Sequence, residues 1–279
     1  MKTDPVDAEL SINPALVEDI LVRFIRNEIT RAGFKRAVLG LSGGIDSTTV
    51  AYLAAAAMGP QNVLCVMMPY KTSSQATRAD SQTVVDALGV QTLDVAITPQ
   101  IDAYFAAFPA ASRMRLANKC ARERMTILYD QSAAFEGLVL GTSNKTELAL
   151  GYGTQFGDLA SAINPLGDLY KTQLRQLAMH LKVPTEILDK PPSGDLWIGQ
   201  TDEEELGLTY AEVDRMLALL VDRRWQPAQL VRAGFDAQFV DRVLRMIQRN
   251  QYKRRLPVIA KLTPRTMDRD FRYPRDWGT

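Results

Sequence analysis

Gly40-Leu41-Ser42-Gly43-Gly44-Ile45-Asp46-Ser47 separates an apolar, β-prone run, Ala37-Val38-Leu39, from an alanine-rich run between Thr48 and Met58. It therefore reads as the turn that leads a buried strand into a helix. A turn of this kind is a natural anion site. Its paired glycines allow positive φ and close backbone approach, while the first N–H groups of the new helix lack internal partners and sit at the positive end of its dipole. Ser42 and Ser47 add hydroxyl donors, and Asp46 adds a carboxylate suited to holding magnesium against phosphate oxygens. No Gly-Lys-Ser/Thr closes the stretch, so it is not a Walker A loop, and it does not follow Gly-x-Gly-x-x-Gly.

Outward from this turn the chain alternates strand and helix signals. Before it, Val17, Ile20, Leu21, Phe24, Ile25 and Ile29 recur with helical spacing. After it, Val63 to Met68 is a continuous apolar run, the mark of a strand buried on both faces. Ser74 to Leu88 reads as a helix stopped by Gly89, Thr92 to Ile97 as a third strand, Thr98 to Phe108 and Ser112 to Phe135 as helices, and Leu138 to Gly141 as a fourth strand. This order predicts an α/β fold, a parallel sheet with helices on both faces and ligands at the carboxyl ends of its strands. Gly40 to Ser47 and Gly141 to Glu147 both lie at such ends. From Gly151 to Gly167 glycines and Pro165 punctuate a long functional loop. Helices follow at Tyr170 to Leu181, Tyr210 to Arg223, Pro227 to Ala233 and Asp236 to Gln248. Thr201 with Glu204 and Thr209 with Glu212 are two capping-box patterns, which give the acidic run Asp202 to Glu205 a helix-terminus role in preference to metal binding.

Composition narrows the class. At 279 residues and 46% hydrophobic content the chain can bury a sizeable core. No apolar run approaches a membrane span, and an N-terminus carrying Asp4, Asp7 and Glu9 is unlike a secretory signal, so the expected location is cytoplasmic. Cys65 in a strand and Cys120 in a helix read as packed thiols, and a single histidine, His180, excludes a His-rich metal site or a Ser-His-Asp triad. The net charge of +1 hides a balance of +9 from Arg223 onward against −8 before it. A basic tail of this sort is most often solvated surface charge; it serves a polyphosphate ligand as well as nucleic acid, but no RNA-binding signature accompanies it, and nucleic acid is the weaker partner.

The SGGIDS stretch, together with Asn118 to Met125 (NKCARERM), Gly141 to Glu147 (GTSNKTE), Gly151 to Asp158 (GYGTQFGD), Pro165 to Thr172 (PLGDLYKT) and Pro192 to Gly207 (PSGDLWIGQTDEEELG), resembles NAD synthetase of the ammonia-dependent type. SGGIDS itself resembles the pyrophosphate loop of ATP pyrophosphatases, and the resemblance runs from about residue 16 to about residue 262. It implies an adenine nucleotide alpha hydrolase-like, Rossmann-like fold in a single synthetase domain over 1–279. It also implies a carbon–nitrogen ligase that converts deamido-NAD to NAD with ATP and ammonia, through an acyl-adenylate, releasing AMP and pyrophosphate. Carried over residue by residue, it puts ATP on Gly40, Leu41, Ser42, Gly43, Gly44, Ile45, Asp46, Ser47, Thr142, Lys171 and Ser193, and magnesium on Asp46 and Glu147. Deamido-NAD falls to Arg122, Gln155, Tyr252 and Lys253, with catalytic roles for Asp46, Lys171 and Asp158 and a homodimer as the working unit. On the residues alone, Arg122 reads first as a surface ion-pairing group, while Glu147 fits a local cap, Lys171 an exposed polar residue and Asp158 the organiser of its loop.

Two positions depart from the ammonia-dependent pattern. Gln155 stands where that group has a lysine before the Gly-Asp pair, and Ala162 where it has an aspartate four residues beyond, so Gly141 to Thr172 looks closer to the glutamine-dependent branch. The nitrilase-like glutaminase domain of that branch is not expected here, which leaves free ammonia, or ammonia from a separate protein, as the nitrogen source. Two rivals stand beside this reading. One is another ATP pyrophosphatase such as GMP synthetase. Thiolases need a reactive cysteine pair that Cys65 and Cys120 do not make. The other is a non-catalytic nucleotide-binding sensor, which has little use for Asp46, Glu147 and Lys171 together.

Overall fold

The computed structural model describes residues 10–193, 201–255, 257–267 and 270. Helix α1 (Pro14–Arg31) begins with proline at its first position and Asn13 as its cap, the Asn13 side chain accepting from the Leu16 N–H. Strand β1 (Arg36–Gly40) runs into α2 (Ile45–Met58), and β2 (Val63–Met67) into α3 (Gln75–Leu88), which ends on the left-handed Gly89. Next come β3 (Gln91–Asp94), α4 (Thr98–Phe105), α5 (Arg113–Phe135), β4 (Gly137–Val139) and α6 (Lys145–Leu150). The remaining helices are α7 (Lys171–His180), α8 (Thr185–Leu188), α9 (Asp202–Leu206), α10 (Tyr210–Leu217) with a π-helical continuation at Ala218–Asp222, α11 (Pro227–Arg232), and α12 (Ala237–Asn250) followed by a 3-10 turn at Gln251–Arg254.

The four strands are parallel in the order β3-β2-β1-β4, with Val38 opposite Leu64 and Val139. Period-two alternation sends successive residues of β1 and β2 to opposite faces. Ala37, Leu39, Val63, Cys65 and Met67 join a core made with α1, α2, α3 and α7, while Val38, Leu64 and Val66 join a second core with Ile97, Ile101 and Cys120. Every residue of β2 is buried, as its unbroken apolar run requires. At about 1.5–3 kcal/mol for each large aliphatic side chain removed from water, these two layers supply most of the hydrophobic stabilisation of the sheet. A third apolar cluster, built by α10, α11 and α12, takes in Leu150 of α6 and Tyr170 at the start of α7.

Boundaries differ from the sequence reading at several elements, β4 covering Gly137–Val139 in place of Leu138 to Gly141 and α4 ending at Phe105 in place of Phe108 among them. β3 stops at Asp94 instead of Ile97, because it is an edge strand whose continuation, Val95 and Ile97, donates singly to Met67 and Pro69 before Pro99 opens α4. The supposed loop after Gly151 returns to the sheet, where Ile163 forms a parallel bridge with Leu140. The helix from Tyr210 changes to π geometry at Ala218. Both cysteines are buried free thiols, Cys65 pushed up by burial to about 12, and His180 pairs with Glu18 at 2.9 Å. Among the described residues no helix is long and apolar enough to cross a membrane.

Candidate active site

Strand order reverses between β1 and β4: chain crossovers run outward from β1 to β3 on one side and to β4 on the other. At such a switch point the loops leaving adjacent strands splay apart and open a crevice. The Gly40–Ser47 turn leaves one strand and the Gly141–Glu147 segment the other.

The first turn is shaped by its glycines and serines. Gly43 has φ +69°, and a Cβ there would stand 2.5 Å from the Thr77 carbonyl oxygen, so only glycine lets the loop lie against α3. Ser42 N–H donates to Ser47 Oγ at 3.1 Å, and the two hydroxyls lie 3.0 Å apart, which closes the turn into a ring. Gly44 occupies the N-cap of α2 and offers no side chain to the helix's first N–H groups, leaving them directed at the crevice. Asp46 follows in the first turn of α2.

The second segment supplies a reciprocal cap. Asn144 Oδ1 accepts from Glu147 N–H (3.0 Å), and Asn144 N–H donates to Glu147 Oε2 (3.2 Å). The Asn144 amide then donates to Glu147 Oε1 (2.6 Å) and to Asp46 Oδ1 (2.8 Å), holding the two carboxylates side by side. Lys171, the first residue of α7, places its ammonium on Asp46 Oδ2, 3.6 Å from Glu147 Oε1 and 5.2 Å from the centre of the Tyr210 ring. It is buried, not exposed as its polar neighbourhood in the sequence suggested. Burial alone would depress the Lys171 ammonium, but Asp46 and Glu147 outweigh it and hold it above the ordinary lysine value. Burial pushes Glu147 up to about 8, the facing Asp46 adds to the push and Lys171 opposes it. Glu147 is thus both the local cap and a member of the charged cluster.

Three residues that sequence reasoning missed complete this end. Asn144 was legible as the start of an Asn-x-x-Glu capping box. Asp202 opens α9, whose Thr201 cap accepts from Glu204 N–H at 3.3 Å, so the helix-terminus reading of the acidic run holds for its backbone. The Asp202 side chain differs: it is buried, with Tyr152 Oη 3.0 Å from its Oδ1 and Tyr210 donating to its Oδ2 at 3.2 Å. Burial raises its carboxyl and Lys171 counters that shift. No local pattern distinguished Asp202 or Tyr210 from their neighbours. The companion Thr209 cap likewise accepts from Glu212 N–H at 3.4 Å.

The other half of the crevice is the loop after α6. Thr154 Oγ1 donates to Asn118 Oδ1 (2.7 Å), Arg122 Nε to the Gln155 carbonyl (3.3 Å), and Thr154 N–H to Asp158 Oδ1 (2.7 Å). From the far side Lys253 donates to the carbonyls of Gly151 (2.7 Å) and Gly153 (2.9 Å). Arg122 and Lys253, expected to meet a second substrate, are therefore also the pins of this loop. Desolvation raises the Asp158 carboxyl against the pull of the Thr154 N–H and Lys253, while desolvation lowers the Lys253 ammonium against the pull of Asp158.

One cavity of about 1240 Å3 joins the two halves. Gly40, Leu41, Ser42, Gly44, Ile45, Asp46, Ser47, Thr142, Glu147, Lys171 and Ser193 line it, as do Arg122, Gln155, Asp158, Tyr252 and Lys253. Gly43 faces α3 instead, and Ala162 donates to the Val139 carbonyl at the edge of β4. The Gly194–Gln200 part of the PSGDLWIGQ motif lies outside the described residues. The volume exceeds the roughly 300–1,000 Å3 of an ordinary small-molecule site and suits two large ligands.

The family model for NAD synthase matches residues 17–257. Over 271 residues, 97% of this chain and 99% of the relative, the chain is 58% identical to the NH3-dependent NAD+ synthetase of Trichlorobacter lovleyi. Among solved structures it is similar to NMN synthetase from Francisella tularensis, with a TM-score of 0.81 and 31% identity over 90% of this chain and 99% of that one. It is also similar to NH3-dependent NAD synthetase from Campylobacter jejuni, with a TM-score of 0.77 and 32% identity over 90% of this chain and 100% of that one.

Proposed function

The chain belongs to the NAD synthase family, and from that premise we infer that it makes NAD from deamido-NAD, ATP and ammonia, as an ammonia-dependent carbon–nitrogen ligase. The observation that carries the reading is the meeting of Asp46, Glu147 and Lys171 at the anion-binding start of α2, on the wall of a cavity large enough for both substrates.

In this reading a nicotinate carboxylate oxygen attacks the α-phosphorus of ATP. The bond to the bridging oxygen breaks and pyrophosphate leaves with the electron pair. Ammonia then adds to the carbonyl carbon of the acyl-adenylate, loses a proton, and expels AMP as the C–O bond breaks. The first step needs charge stabilisation on the leaving pyrophosphate. Backbone N–H groups of Gly43 to Ser47 and the two serine hydroxyls cradle the phosphates. The Lys171 ammonium, kept charged by Asp46 and Glu147, stands beside them. Asp46 and Glu147 fit a magnesium ion: it favours one or two carboxylates completed by phosphate oxygens and water, and here the Asn144 amide holds the two carboxylates side by side on the cavity wall. Magnesium bound there would neutralise charge on the triphosphate. Arg122, Gln155, Tyr252 and Lys253 line the half of the cavity assigned to deamido-NAD, and Asp158 orders its loop through the Thr154 N–H. The second step follows because an AMP ester is a far better acyl donor than a carboxylate.

A cytoplasmic homodimer is the proposed working form. The family resemblance supports it, and light scattering of the active protein tests it. The deciding assay incubates the protein with ATP, magnesium, ammonium and deamido-NAD, and reads NAD, AMP and pyrophosphate. ADP as the main nucleotide product overturns the reading. Because the Francisella tularensis protein is named for NMN, nicotinic acid mononucleotide is the second acceptor to run in parallel. A higher kcat/KM for the mononucleotide would reassign the acceptor.

A further inference from the structure

Glu147 and Lys171 come from the first turns of two separate helices, α6 and α7, so their spacing depends on whatever fixes those turns relative to each other. Two aspartates of one helix do this. Asp214, on α10 and fully buried, accepts from Thr146 Oγ1 of α6 (2.5 Å) and from Thr172 N–H of α7 (2.8 Å), and Thr146 Oγ1 in turn accepts from Lys171 N–H (3.1 Å). Asp222, at the end of the π segment, accepts from Lys145 Nζ of α6 (2.8 Å) and from the hydroxyl of Tyr170, the cap of α7 (3.0 Å). The Lys145 ammonium also lies 4.5 Å from the centre of the Tyr170 ring. Each aspartate therefore bonds to both helices, within one residue of the charged pair on at least one of them.

The π segment explains how both reach. Eight residues of regular α-helix would rotate Asp222 about 80° away from Asp214. The slower winding of the Ala218–Asp222 π turn takes back much of that rotation and brings the second carboxylate to the same side. Burying Asp214 is costly for a carboxylate, and its surroundings raise it by desolvation while Thr146 and the Thr172 N–H oppose that shift. A hydrophobic residue would fill the same volume without that cost, whereas two directional bonds to two helices fix an orientation that apolar packing does not.

We propose that the helix from Tyr210 to Asp222 is a two-point brace, and that Asp214 and Asp222 are positioning residues that set the spacing between Lys171 and Glu147. The proposal rests on the proposed function for the meaning of that spacing, though the spacing itself is measurable without turnover. Asp168 supplies the control: it also contacts Lys145, at 3.1 Å, but is almost wholly exposed and touches neither partner of the brace on α7.

The test compares Asp214→Asn, Asp222→Ala, their double variant and Asp168→Ala in the full chain. A misplacement of catalytic groups by about an ångström costs up to about a hundred-fold. The expected result is a fall in kcat of about ten- to a hundred-fold for each brace variant, with KM for ATP within about three-fold of the parent. The double variant should fall little further than the worse single one, because both act on one distance. Asp222→Glu should recover part of the loss, and Asp168→Ala should leave kcat unchanged. Crystal structures of the variants should show the Lys171–Glu147 contact of 3.6 Å lengthened. If Asp214→Asn does not fold, Asp222→Ala, at a half-exposed residue, decides alone. Brace variants that melt earlier but keep kcat within two-fold overturn the proposal, as does an Asp168→Ala loss equal to that of Asp222→Ala. Should the parent make no NAD, the proposed function fails while the brace is still judged by the crystallographic spacing, and an unchanged spacing overturns it.

Discussion

Lys171→Met removes the cation from a cluster in which its ammonium contacts Asp46, lies 3.6 Å from Glu147 Oε1 and faces the Tyr210 ring. Methionine keeps most of the side-chain volume, so the change isolates charge. Breaking a buried ion pair costs about 3–5 kcal/mol because the stranded partner loses its compensation. The low end applies here: the Asp46 side chain retains 19% exposure to the crevice, and Glu147, pushed up to about 8 by burial, can stand neutral and so strands little charge when the ammonium is gone. The expected loss of stability is therefore about 3 kcal/mol by urea denaturation, leaving a folded protein. The chemical loss is separate. A preorganised donor facing charge that develops in the transition state is worth about a hundred- to a thousand-fold in kcat. Initial rates of AMP and NAD formation at saturating ATP, magnesium, ammonium and deamido-NAD measure it. A variant within five-fold of the parent kcat would refute the argument, since Lys171 would then serve only to neutralise its two carboxylates.

Gly43→Ala forces a side chain into φ +69° and against the Thr77 carbonyl at 2.5 Å; the expected result is a loss of about 1–3 kcal/mol in stability and a raised KM for ATP, and unchanged values of both would remove the loop–α3 contact from the argument. Lys253→Met frees the carbonyls of Gly151 and Gly153, so the KM for deamido-NAD should rise more than the KM for ATP, and an equal rise in both would show that the loop serves the whole cleft. Asp158 carries the pH dependence. Desolvation by the surrounding loop raises its folded pKa above the ordinary aspartate value of 3.8 although the residue keeps an exposed side, so its ionisation opposes folding, and the parent regains that stability as pH falls through the folded pKa toward 3.8. Asp158→Asn, which keeps an oxygen for the Thr154 N–H, should therefore gain on the parent at pH 7 relative to pH 4.5 in paired urea titrations, and a pH-independent difference would count against the assignment.

The sequence alone determined the local chemistry of this chain. Strand periods, the unbroken apolar run at β2, the glycines of the Gly40–Ser47 turn and the Asn-x-x-Glu cap are short-range patterns, and each appears because neighbouring residues satisfy one another's backbone groups or share one face. The α/β class and the positions of Asp46, Glu147 and Lys171 at element starts were legible for that reason. What the tertiary structure decided is every relation that depends on long-range packing. Lys171 stands 125 residues from Asp46 along the chain, and no local pattern tells whether its ammonium meets solvent or two carboxylates. Asp202 looked like one of four equivalent acids until packing turned it toward Tyr152 and Tyr210. Lys253 read as a ligand-binding cation, and the fold also makes it the pin of the Gly151–Gly153 loop. Asp214 and Asp222 carried no signal at all, because a brace is a relation among three helices, and its geometry exists only once the π turn has set both carboxylates against the starts of α6 and α7.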